Sequence, residues 1–391
     1  MSKEGYYNVI VAGGSISGLL AAREIAAAGF SVAVLEEDSE IGTPEHCGGL
    51  VSAKGIQSLG IIPSVNAIEN KIKYAKILSP TKSFKLNAEK QRILVLDRRI
   101  FDKQIAFQAQ KMGAEIRTKC SMRSISKTAS YENNYYVIKT TEGDLACNYF
   151  VDARGVGSII HTDRAGVLQS AQYEVYSQTI EPDTVEVNFD TNRYPGFFAW
   201  IIPTGSGRGK IGVAGRSLNV ATTLKSYMDL KINNYSIIRK VYAPIWIKGP
   251  IENFVHDRTI IIGDAAGQTK PTTAGGIYSC GMAAIFAGRA IAKAIEKKDD
   301  NLLQEYKKNW FSIFRDEFNK MLLARRLLER IDNKAIDGLF STVTQMELEN
   351  ISKTGDFDFH SAALSKILDT KRAARIMKIL FDNEIRRLSK I

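Results

Sequence analysis

Apolar and polar positions near the amino terminus follow the pattern of two buried strands joined by a helix. Tyr7–Ala12 is a short apolar run rich in β-branched residues, which is typical of a buried parallel strand. Gly13 and Gly14 then give a tight turn, and Ser15–Ala28 repeats apolar residues at helical spacing. Ser31–Glu36 is a second apolar run that ends in a carboxylate. The pattern predicts a βαβ unit of the kind that binds dinucleotides.

The turn before the predicted helix carries a variant of the glycine fingerprint of dinucleotide sites. The fingerprint G-x-G-x-x-G falls on Gly13, Ser15 and Gly18, so serine replaces the middle glycine. The helix N-terminus would face a pyrophosphate, and Glu36 would accept a hydrogen bond from a ribose hydroxyl. Gly13, Gly14, Ser15, Gly18 and Glu36 are therefore predicted to bind the cofactor. The alternative is an ordinary glycine turn in an α/β protein.

Downstream patterns divide the chain into regions. Residues 1–165 form the first part of the nucleotide-binding domain, and 251–299 form its second part. Residues 166–250 show β-like runs between turn clusters, which predict an antiparallel substrate sheet that the strands near 71–96 are able to join. Residues 300–391 are helical by periodicity. The predicted strands after the first unit are Lys71–Leu78, Ser83–Leu86, Arg92–Leu96, Ile116–Ile125, Tyr135–Thr140, Asn148–Val151, Tyr173–Ile180, Thr184–Phe189, Phe197–Ile202, Lys210–Gly215 and Thr259–Ile262.

Length and composition bound the class of protein. With 391 residues, 45% of them hydrophobic and 24% charged, the chain is long enough for two or three units of a globular protein. No apolar run approaches the roughly 18 residues of a membrane-spanning helix. The amino-terminal apolar run is a strand rather than a signal peptide. A cytoplasmic protein is therefore expected.

The charge indicates an anionic partner, since the net charge is +11 and the pI is near 9.3. Nucleic-acid-binding motifs are absent from the sequence, which leaves an anionic lipid surface or an acidic redox protein. Residues 369–391 hold seven Lys or Arg against three Asp or Glu, which allows peripheral association with the inner membrane surface. The alternative is a docked helix with a solvated charged face. Cysteines and histidines lack metal-ligand spacing, so no metal site is predicted.

A second cofactor motif lies far along the chain. Thr259–Ile262 leads into Gly-Asp-Ala-Ala-Gly, a flavoprotein motif in which Asp264 would bind the ribityl chain of FAD. Gly275 is predicted to open a long helix whose N-terminus faces the flavin pyrimidine edge and favours negative charge there. Gly276 and Ile277 are predicted to bind FAD with Asp264 and Gly275. The two motifs predict an α/β fold with a Rossmann-type FAD-binding domain of the glutathione-reductase/hydroxylase-like superfamily, an antiparallel substrate sheet and a helical C-terminal region.

Several stretches resemble geranylgeranyl reductases, flavoproteins that hydrogenate isoprenoid double bonds. IGTPEHCGGLVS (residues 41–52) is similar to their P-x-x-C-G-G/E loop, and DRRIFD (97–102) to their D-R-x-x-F-D motif. FAWIIPTGSGRGKIGVAG (198–215) is similar to Y-x-W-x-F-P followed by a glycine-rich loop and G-x-G. QTKPTTAGGI (268–277) is similar to K-P-T-T-G-G-G-I, with alanine for one glycine.

The resemblance implies further cofactor contacts. Cys47 matches a cysteine close to the isoalloxazine ring and is the predicted catalytic residue, with Gly48 and Gly49 beside it at the cofactor. Arg98 is implied to lie near the flavin phosphates or ribityl chain, and Met122 near the adenine. The alternatives are a buried apolar thiol for Cys47 and a helix-start arginine paired with an aspartate for Arg98.

The resemblance also implies an apolar substrate pocket. Phe198, Trp200 and Ile202 occupy the places of the aromatic motif, where phenylalanine removes a tyrosine hydroxyl that a proton relay would use. The alternative is that each is a core residue of the sheet. Cys47 and Cys280 occupy positions whose cysteines can pair in the family. A redox-responsive or simply adjacent thiol pair is expected, because structural disulfides are rare in the cytoplasm.

The implied activity is FAD-dependent reduction of C=C bonds of geranylgeranyl chains, with an isoprenoid lipid of the archaeal ether type as substrate. Reduced ferredoxin or NAD(P)H is the implied electron donor, because the sequence has no second nucleotide-binding βαβ unit. Two other functions fit the same motifs. One is a flavin-dependent monooxygenase of the same fold, and the other is a lipid- or quinone-linked electron-transfer flavoprotein.

Overall fold

The computed structural model describes residues 5–129, 134–360, 363 and 370–388. Its strands are β1 (Tyr6–Ala12), β2 (Val32–Leu35), β3 (Leu50–Ser52), β4 (Ile68–Ile72), β5 (Tyr74–Leu78), β6 (Ser83–Asn87), β7 (Ile93–Leu96), β8 (Glu115–Arg117), β9 (Met122–Ala129), β10 (Asn134–Thr140), β11 (Gly143–Asp152), β12 (Val167–Tyr176), β13 (Thr184–Asn188), β14 (Ala199–Gly205), β15 (Arg208–Gly215), β16 (Ser236–Trp246), β17 (Val255–His256) and β18 (Thr259–Ile261). Its α-helices are α1 (Ile16–Ala27), α2 (Ala53–Ser58), α3 (Arg98–Lys111), α4 (Val220–Lys231), α5 (Ile277–Lys297), α6 (Gln304–Leu328), α7 (Asn333–Phe340), α8 (Gln345–Thr354) and α9 (Thr370–Leu388).

The amino-terminal βαβ unit forms as predicted, with β1 and β2 paired in parallel around α1. It belongs to an eight-stranded sheet of order β17-β18-β11-β1-β2-β8, with the hairpin β9–β10 added beside β11. The pairs of β1 with β11, β2 with β8 and β11 with β18 are also parallel. Apolar runs such as β1 suit parallel strands because both faces of such a sheet are covered. The predicted α/β fold class is confirmed.

A seven-stranded sheet forms on the other side of the molecule, in the order β16-β12-β15-β14-β13-β5-β6. Neighbouring strands are antiparallel except β13 and β5, which run parallel. The strands of the segment near 71–96 divide between sheets, because β5 and β6 join this one whereas β4 and β7 belong to a small third sheet of order β3-β7-β4.

The two largest buried clusters pack between the sheets and the helices. The larger lies between the eight-stranded sheet and the helices α1, α3, α5 and α6, and includes the buried rings of Trp310, Phe314 and Phe318. The second lies between the seven-stranded sheet and α4, around Leu224 and Tyr227. The site described below lies where the two sheets meet.

Several predicted strands were wrong in their extent, among them Tyr173–Ile180, because β12 is Val167–Tyr176. Lys71–Leu78 is divided into β4 and β5, which belong to different sheets. Ile116–Ile125 is divided into β8 and β9, because Lys119 adopts φ 58° and the chain turns there. The N–H groups of Lys119 and Cys120 donate to the carbonyl oxygens after β2, which fixes that turn. The sequence patterns also missed α4 and β16.

The carboxyl-terminal region is helical where the structure describes it, as predicted. Of the basic segment 369–391, residue 369 and residues 389–391 lie outside the described residues. The remainder is α9, which packs on α7. Of the helices in the described ranges, none combines the length and apolar character needed to cross a bilayer.

Candidate functional site

The turn between β1 and α1 is pressed against the turn that follows β11. Gly13 has φ +107°, and a Cβ added there would lie 2.5 Å from the carbonyl oxygen of Ala153. A Cβ on Gly18 would lie 1.9 Å from the carbonyl oxygen of Gly13. Only glycine, which has no Cβ, allows backbone atoms to lie this close together. The two fingerprint glycines therefore hold the turn tight where α1 begins.

The N-terminus of α1 is suited to an anion. Ser15 is its N-cap and is extended, and in the described structure its side chain makes no capping hydrogen bond. The first N–H groups of a helix have no intrahelical partner and carry partial positive charge. A phosphate group is the usual ligand of such an N-terminus after a glycine turn.

Glu36 follows β2 and leans over the same turn. Its carboxylate accepts hydrogen bonds from the N–H groups of Gly14 at 2.7 Å and Asp38 at 2.9 Å. Burial raises the pKa of Glu36, and these two backbone hydrogen bonds oppose the rise. A carboxylate held beside the glycine turn is what a ribose hydroxyl requires.

The second motif meets the first directly. Gly263 and Asp264 lie in a 3₁₀ turn after β18, and a Cβ added at Gly263 would lie 2.7 Å from Ser17 Oγ in the first turn of α1. The thiol of Cys280 donates a hydrogen bond to Asp264 Oδ1 at 3.6 Å. Burial raises the pKa of Asp264, and the nearby charge of Arg98 opposes it. Segments about 250 residues apart in the sequence thus form one site.

The loop after this motif leads into α5. The helix begins at Ile277, with Gly276 rather than Gly275 as its N-cap, so the predicted start was one residue early. A Cβ on Gly276 would lie 2.9 Å from Cys280 Sγ and 3.5 Å from Asp264 Oδ1. Gly276 therefore lies beside the Asp264 carboxylate, and the N-terminus of α5 lies at the site. Ala274 replaces a glycine and has φ 54°, the left-handed region that glycine favours.

Arg98 lies between the two motifs and the Cys47 loop. Its guanidinium donates to both carboxylate oxygens of Asp102, at 2.8 and 2.7 Å, so the pairing considered as an alternative is present. Burial opposes its charge, but Asp102 and then Cys47 raise the pKa of Arg98. The same guanidinium therefore faces Cys47 and influences Asp264.

The Cys47 loop joins this site to the seven-stranded sheet. Gly49 N–H lies 3.4 Å from Cys47 Sγ, and the half-buried thiol is free. Gln172 on β12 donates to the carbonyl oxygen of Cys47 at 3.3 Å and accepts the indole N–H of Trp200 at 3.1 Å. A Cβ on Gly48 would lie 2.7 Å from Ile202 Cδ1. Cys280 is also a free thiol, so the structure contains no Cys47–Cys280 disulfide.

Residues 6–219 match the family model described as FAD binding domain. The chain belongs to this family. The match covers more than half of the chain, and it includes the first glycine turn, the Cys47 loop and most of the second sheet. FAD is therefore the cofactor of this flavoprotein, as predicted.

Curated relatives of this flavoprotein confirm the resemblance found in the sequence. Digeranylgeranylglycerophospholipid reductase 2 of Methanothermobacter thermautotrophicus is 29% identical over 369 residues, which are 89% of this chain and 94% of that protein. Digeranylgeranylglycerophospholipid reductase 1 of Methanopyrus kandleri is 29% identical over 87% of this chain and 96% of that protein.

Solved structures confirm the fold. A geranylgeranyl bacteriochlorophyll reductase-like protein of Thermoplasma acidophilum has a TM-score of 0.82 and 22% identity, covering 97% of this chain and 99% of that one. The p-nitrophenol 4-monooxygenase PnpA of Pseudomonas putida has a TM-score of 0.66 and 15% identity, covering 97% and 98%. The flavoprotein fold is thus shared with monooxygenases, as expected for this superfamily.

The residues present fit FAD. The tight turn at Gly13 leaves the N-terminus of α1 open for the pyrophosphate, and Glu36 stands at the ribose side. Asp264 and the N-terminus of α5 form the opposite end, with Gly276 beside the carboxylate. The predicted FAD contacts in these two segments all stay predictions, namely those of Gly13, Gly14, Ser15, Gly18, Glu36, Asp264, Gly275, Gly276 and Ile277.

Met122 lies on the side of Glu36, at the start of β9, and packs against the core under β1 and β2. The chain just before it is bonded to that of Glu36, because Cys120 N–H donates to the Glu36 carbonyl oxygen at 2.8 Å. This placement agrees with the adenine end of FAD. The contact of Met122 with adenine stays a prediction.

The predicted substrate residues differ in exposure. Phe198 and Ile202 are buried, whereas Trp200 is half-buried. Phe198 stacks on Phe197 with ring centroids 4.0 Å apart. It also packs in a cluster with Ala274, which lies in the loop between Asp264 and α5. Trp200 and Ile202 are two residues apart, so both lie on the face of β14 that meets the Cys47 loop. The apolar side of the site is therefore built from these residues, and their contact with substrate stays a prediction.

A buried charge cluster that the sequence patterns missed anchors the Cys47 loop. Lys210 on β15 donates to Glu45 at 2.7 Å and to Glu69 at 2.8 Å, and Arg239 donates to Glu45 at 2.6 Å. Burial opposes ionisation, yet the charge of Lys210 lowers the pKa of Glu45. A lysine inside the apolar run of β15 was the available signal, because a lysine is rarely buried without a partner.

Residues 356–360 of the carboxyl-terminal region pack on the loop between Asp264 and α5. Lys270 Nζ donates to the Phe357 carbonyl oxygen at 2.9 Å and lies 3.8 Å from Asp358 Oδ1. Thr272 Oγ1 and His360 Nδ1 are 3.0 Å apart. Burial lowers the pKa of Lys270, and it lowers the pKa of His360 to about 3. Residues 356–360 therefore tie the helical region to the loop between Asp264 and α5.

Proposed function

We propose that this flavoprotein saturates C=C bonds of geranylgeranyl chains on archaeal-type ether lipid precursors. Support comes from curated digeranylgeranylglycerophospholipid reductases that match it over most of both chains. The same class of substrate was expected from the Cys47 loop and from the Gln268–Ile277 stretch. The enzyme is then an FAD-dependent oxidoreductase that acts on carbon–carbon double bonds.

One observation carries this proposal: the loop that holds Cys47 contacts both the cofactor segments and the apolar substrate sheet. Its thiol lies beside Arg98, its carbonyl is joined through Gln172 to Trp200, and Gly48 touches Ile202. An isolated alkene is a poor electrophile, so tight positioning against the cofactor must supply much of the rate. Apolar walls also exclude water from the reaction.

The reaction requires two electrons and two hydrogens for each double bond. Reduced FAD, when bound, supplies a hydride to one alkene carbon. We propose that the Cys47 thiol gives the proton to the other carbon and regains a proton from water. Trp200 and Ile202 would hold the prenyl chain, and Arg98 would stabilise negative charge at the cofactor side.

Mass spectrometry tests the proposal. Protein reduced by dithionite under argon is incubated with digeranylgeranylglyceryl phospholipid dispersed in detergent. The expected product gains about 2 Da for each alkene saturated, since a hydride and a proton are added. Substrate-dependent oxygen uptake with an added oxygen atom would instead indicate a monooxygenase. Reoxidation by quinone analogues without any mass gain would indicate an electron-transfer flavoprotein.

The electron donor is proposed to be reduced ferredoxin or NAD(P)H. Within the described residues, the βαβ unit with the glycine fingerprint runs from β1 to β2. We assign this unit to FAD, so NAD(P)H would have to bind elsewhere. The net charge of +11 favours docking of an acidic redox protein. Salt-sensitive reduction by ferredoxin would support ferredoxin as the donor, whereas saturable reduction by NADPH alone would assign the nicotinamide donor.

A membrane-embedded substrate also implies peripheral membrane association.

A further inference from the structure

An apolar stripe runs along the outer face of α9. Met377, Phe381, Ile385 and Leu388 are 67%, 67%, 50% and 66% exposed. Their spacings of four, four and three residues place them on one side of the helix. Single exposed apolar residues are common, but a contiguous row of large ones marks a contact surface. We refer to these four residues as the α9 stripe.

The opposite face of α9 already holds the helix on the protein. Ile376 is buried, and Ile379 and Leu380 pack against the cluster around Ile336 of α7. The amide of Asn383 donates to the Arg330 carbonyl oxygen at 3.0 Å. The α9 stripe is therefore a second apolar face on a helix whose first apolar face is used.

Among the described side chains of α9, three cations and one acid, Asp382, are exposed. Arg375 and Lys378 are exposed, and no ion pair holds either of them among the residues that the structure describes. Arg387 is exposed as well and lies 2.8 Å from Glu384. An anionic bilayer complements this arrangement, because apolar side chains enter the acyl boundary while Lys and Arg stay at the headgroups. The net charge of +11 acts in the same direction.

The stripe also lies close to the proposed substrate side. Phe189, at the end of β13, packs against the α7 cluster on which α9 rests. The ring of Phe189 lies 5.5 Å from that of Phe198, in an edge-to-face contact. Thr191 and Asn333 fasten α7 to the same edge through hydrogen bonds of 2.7 and 2.8 Å. One helix and one aromatic ring thus separate the stripe from the Phe198 cluster.

We propose that α9 lies on an anionic bilayer with its stripe inserted, which brings the Phe198 edge of the substrate sheet to membrane lipid. The proposal rests on the proposed function only for the identity of the lipid substrate. A second copy of the chain is the competing occupant, and the experiment separates the two.

Vesicle flotation tests this surface. The FAD-loaded protein is mixed with vesicles of phosphatidylcholine and phosphatidylglycerol in equal parts, or of phosphatidylcholine alone. The double variant Met377→Ser/Phe381→Ser should bind the anionic vesicles about tenfold more weakly or worse, because two large apolar side chains are lost from the bilayer. Arg375→Glu/Lys378→Glu should lose binding to the anionic vesicles, with little effect on the neutral ones. Met346→Ser is the matched control, since Met346 is 72% exposed on α8 and should leave binding unchanged.

The outcomes distinguish the surface from the reaction. The Met377→Ser/Phe381→Ser variant should keep its bound flavin and its turnover of lipid in detergent, but lose turnover of lipid in vesicles. Unchanged vesicle binding by this variant overturns the proposal. A wild-type dimer that becomes a monomer in the variant, with no vesicle binding by either, assigns the stripe to a second copy. Stripe-dependent vesicle binding by a protein that saturates no lipid overturns the proposed reaction alone.

Discussion

A single guanidinium lies close to both the Cys47 thiol and the Asp264 carboxylate. Arg98 is held by Asp102 through two hydrogen bonds and still faces Cys47 and Asp264. The sequence offered the Asp102 pair and the cofactor role as alternatives. Both are compatible in the structure, because the pair fixes the orientation that turns the guanidinium towards the site.

Replacing Cys47 with alanine should separate cofactor retention from catalysis. FAD content should stay near that of the wild type, because the pyrophosphate and ribityl segments are untouched. The kcat for prenyl reduction should fall roughly 100-fold, the smaller end of the range for losing a positioned proton donor. Flavin content and turnover are measured on the same preparation. Cys147→Ala, in the core under β1, is the control, and equal turnover of both variants would remove Cys47 from catalysis.

His360 should make the protein sensitive to acid. Its pKa is lowered to about 3 by burial, with the positive charge of Lys270 adding to the effect. In the unfolded chain the ordinary value is about 6.5, so the unfolded state binds a proton that the folded state refuses. Stability from neutral His360 is thus complete above about pH 6.5 and is lost progressively as the pH falls towards 3.

The measurement is the free energy of unfolding between pH 7 and pH 4. His360→Gln should have a flatter slope than the wild type, since no imidazole remains to be protonated. Lys270 and Asp356 act electrostatically on the ring and are present in both proteins, so the comparison isolates His360. The exposed His256→Gln variant should retain the wild-type slope. Identical slopes for wild type and His360→Gln would contradict the buried neutral ring.

At the scale of elements, the Cys47 loop is fixed by the strand that it faces. Lys210 of β15 joins Glu45 of the loop to Glu69 of β4, and Lys210 and Glu45 are almost fully buried. Removing one partner of a buried ion pair is strongly destabilising because the other charge stays buried without compensation. The loop is therefore ordered by electrostatics as well as by its glycines.

Lys210→Met should lower the free energy of unfolding by about 3 kcal/mol, the lower end of the cost of breaking a buried pair. The double variant Lys210→Met/Glu69→Gln should recover part of that loss, since Glu69 would otherwise keep a buried carboxylate without its lysine, whereas Glu45 still has Arg239. Lys225→Met, which breaks the exposed pair with Asp229, should cost less than about 0.5 kcal/mol. Urea unfolding of all three variants measures these values, and equal losses for the two lysine variants would contradict the anchoring role.

Local patterns predicted the elements that carry the cofactor, and long-range contacts explain what they missed. β1, α1, β2 and α5 follow from apolar periodicity bounded by glycine, which is a local signal. Lys210 and Glu45 are 165 residues apart, so no local pattern relates them. The Phe357–His360 segment likewise gains its role only from packing on Lys270. Gly275 was predicted to open α5, whereas the structure has Gly276 as the cap, because the exact end of a helix depends on contacts that a local pattern does not contain.

At the scale of the whole molecule, the proposed FAD site is assembled from two segments that the seven-stranded sheet separates in sequence. Ser17 and Gly263 touch where these segments meet. The family match supports FAD, and the curated relatives support the lipid substrate. The domain bounds 1–165, 166–250, 251–299 and 300–391 remain a proposal, with β5 and β6 crossing into the second sheet.

The proposed reaction passes two electrons from reduced FAD to a prenyl double bond held beside Cys47. Protein reduced with one equivalent of dithionite is mixed under argon with digeranylgeranylglyceryl phospholipid or with its fully saturated counterpart. The absorption of oxidised flavin should return with the unsaturated lipid and should stay bleached with the saturated one. Equal return with both lipids, or return only after oxygen is admitted, would contradict the proposed reaction.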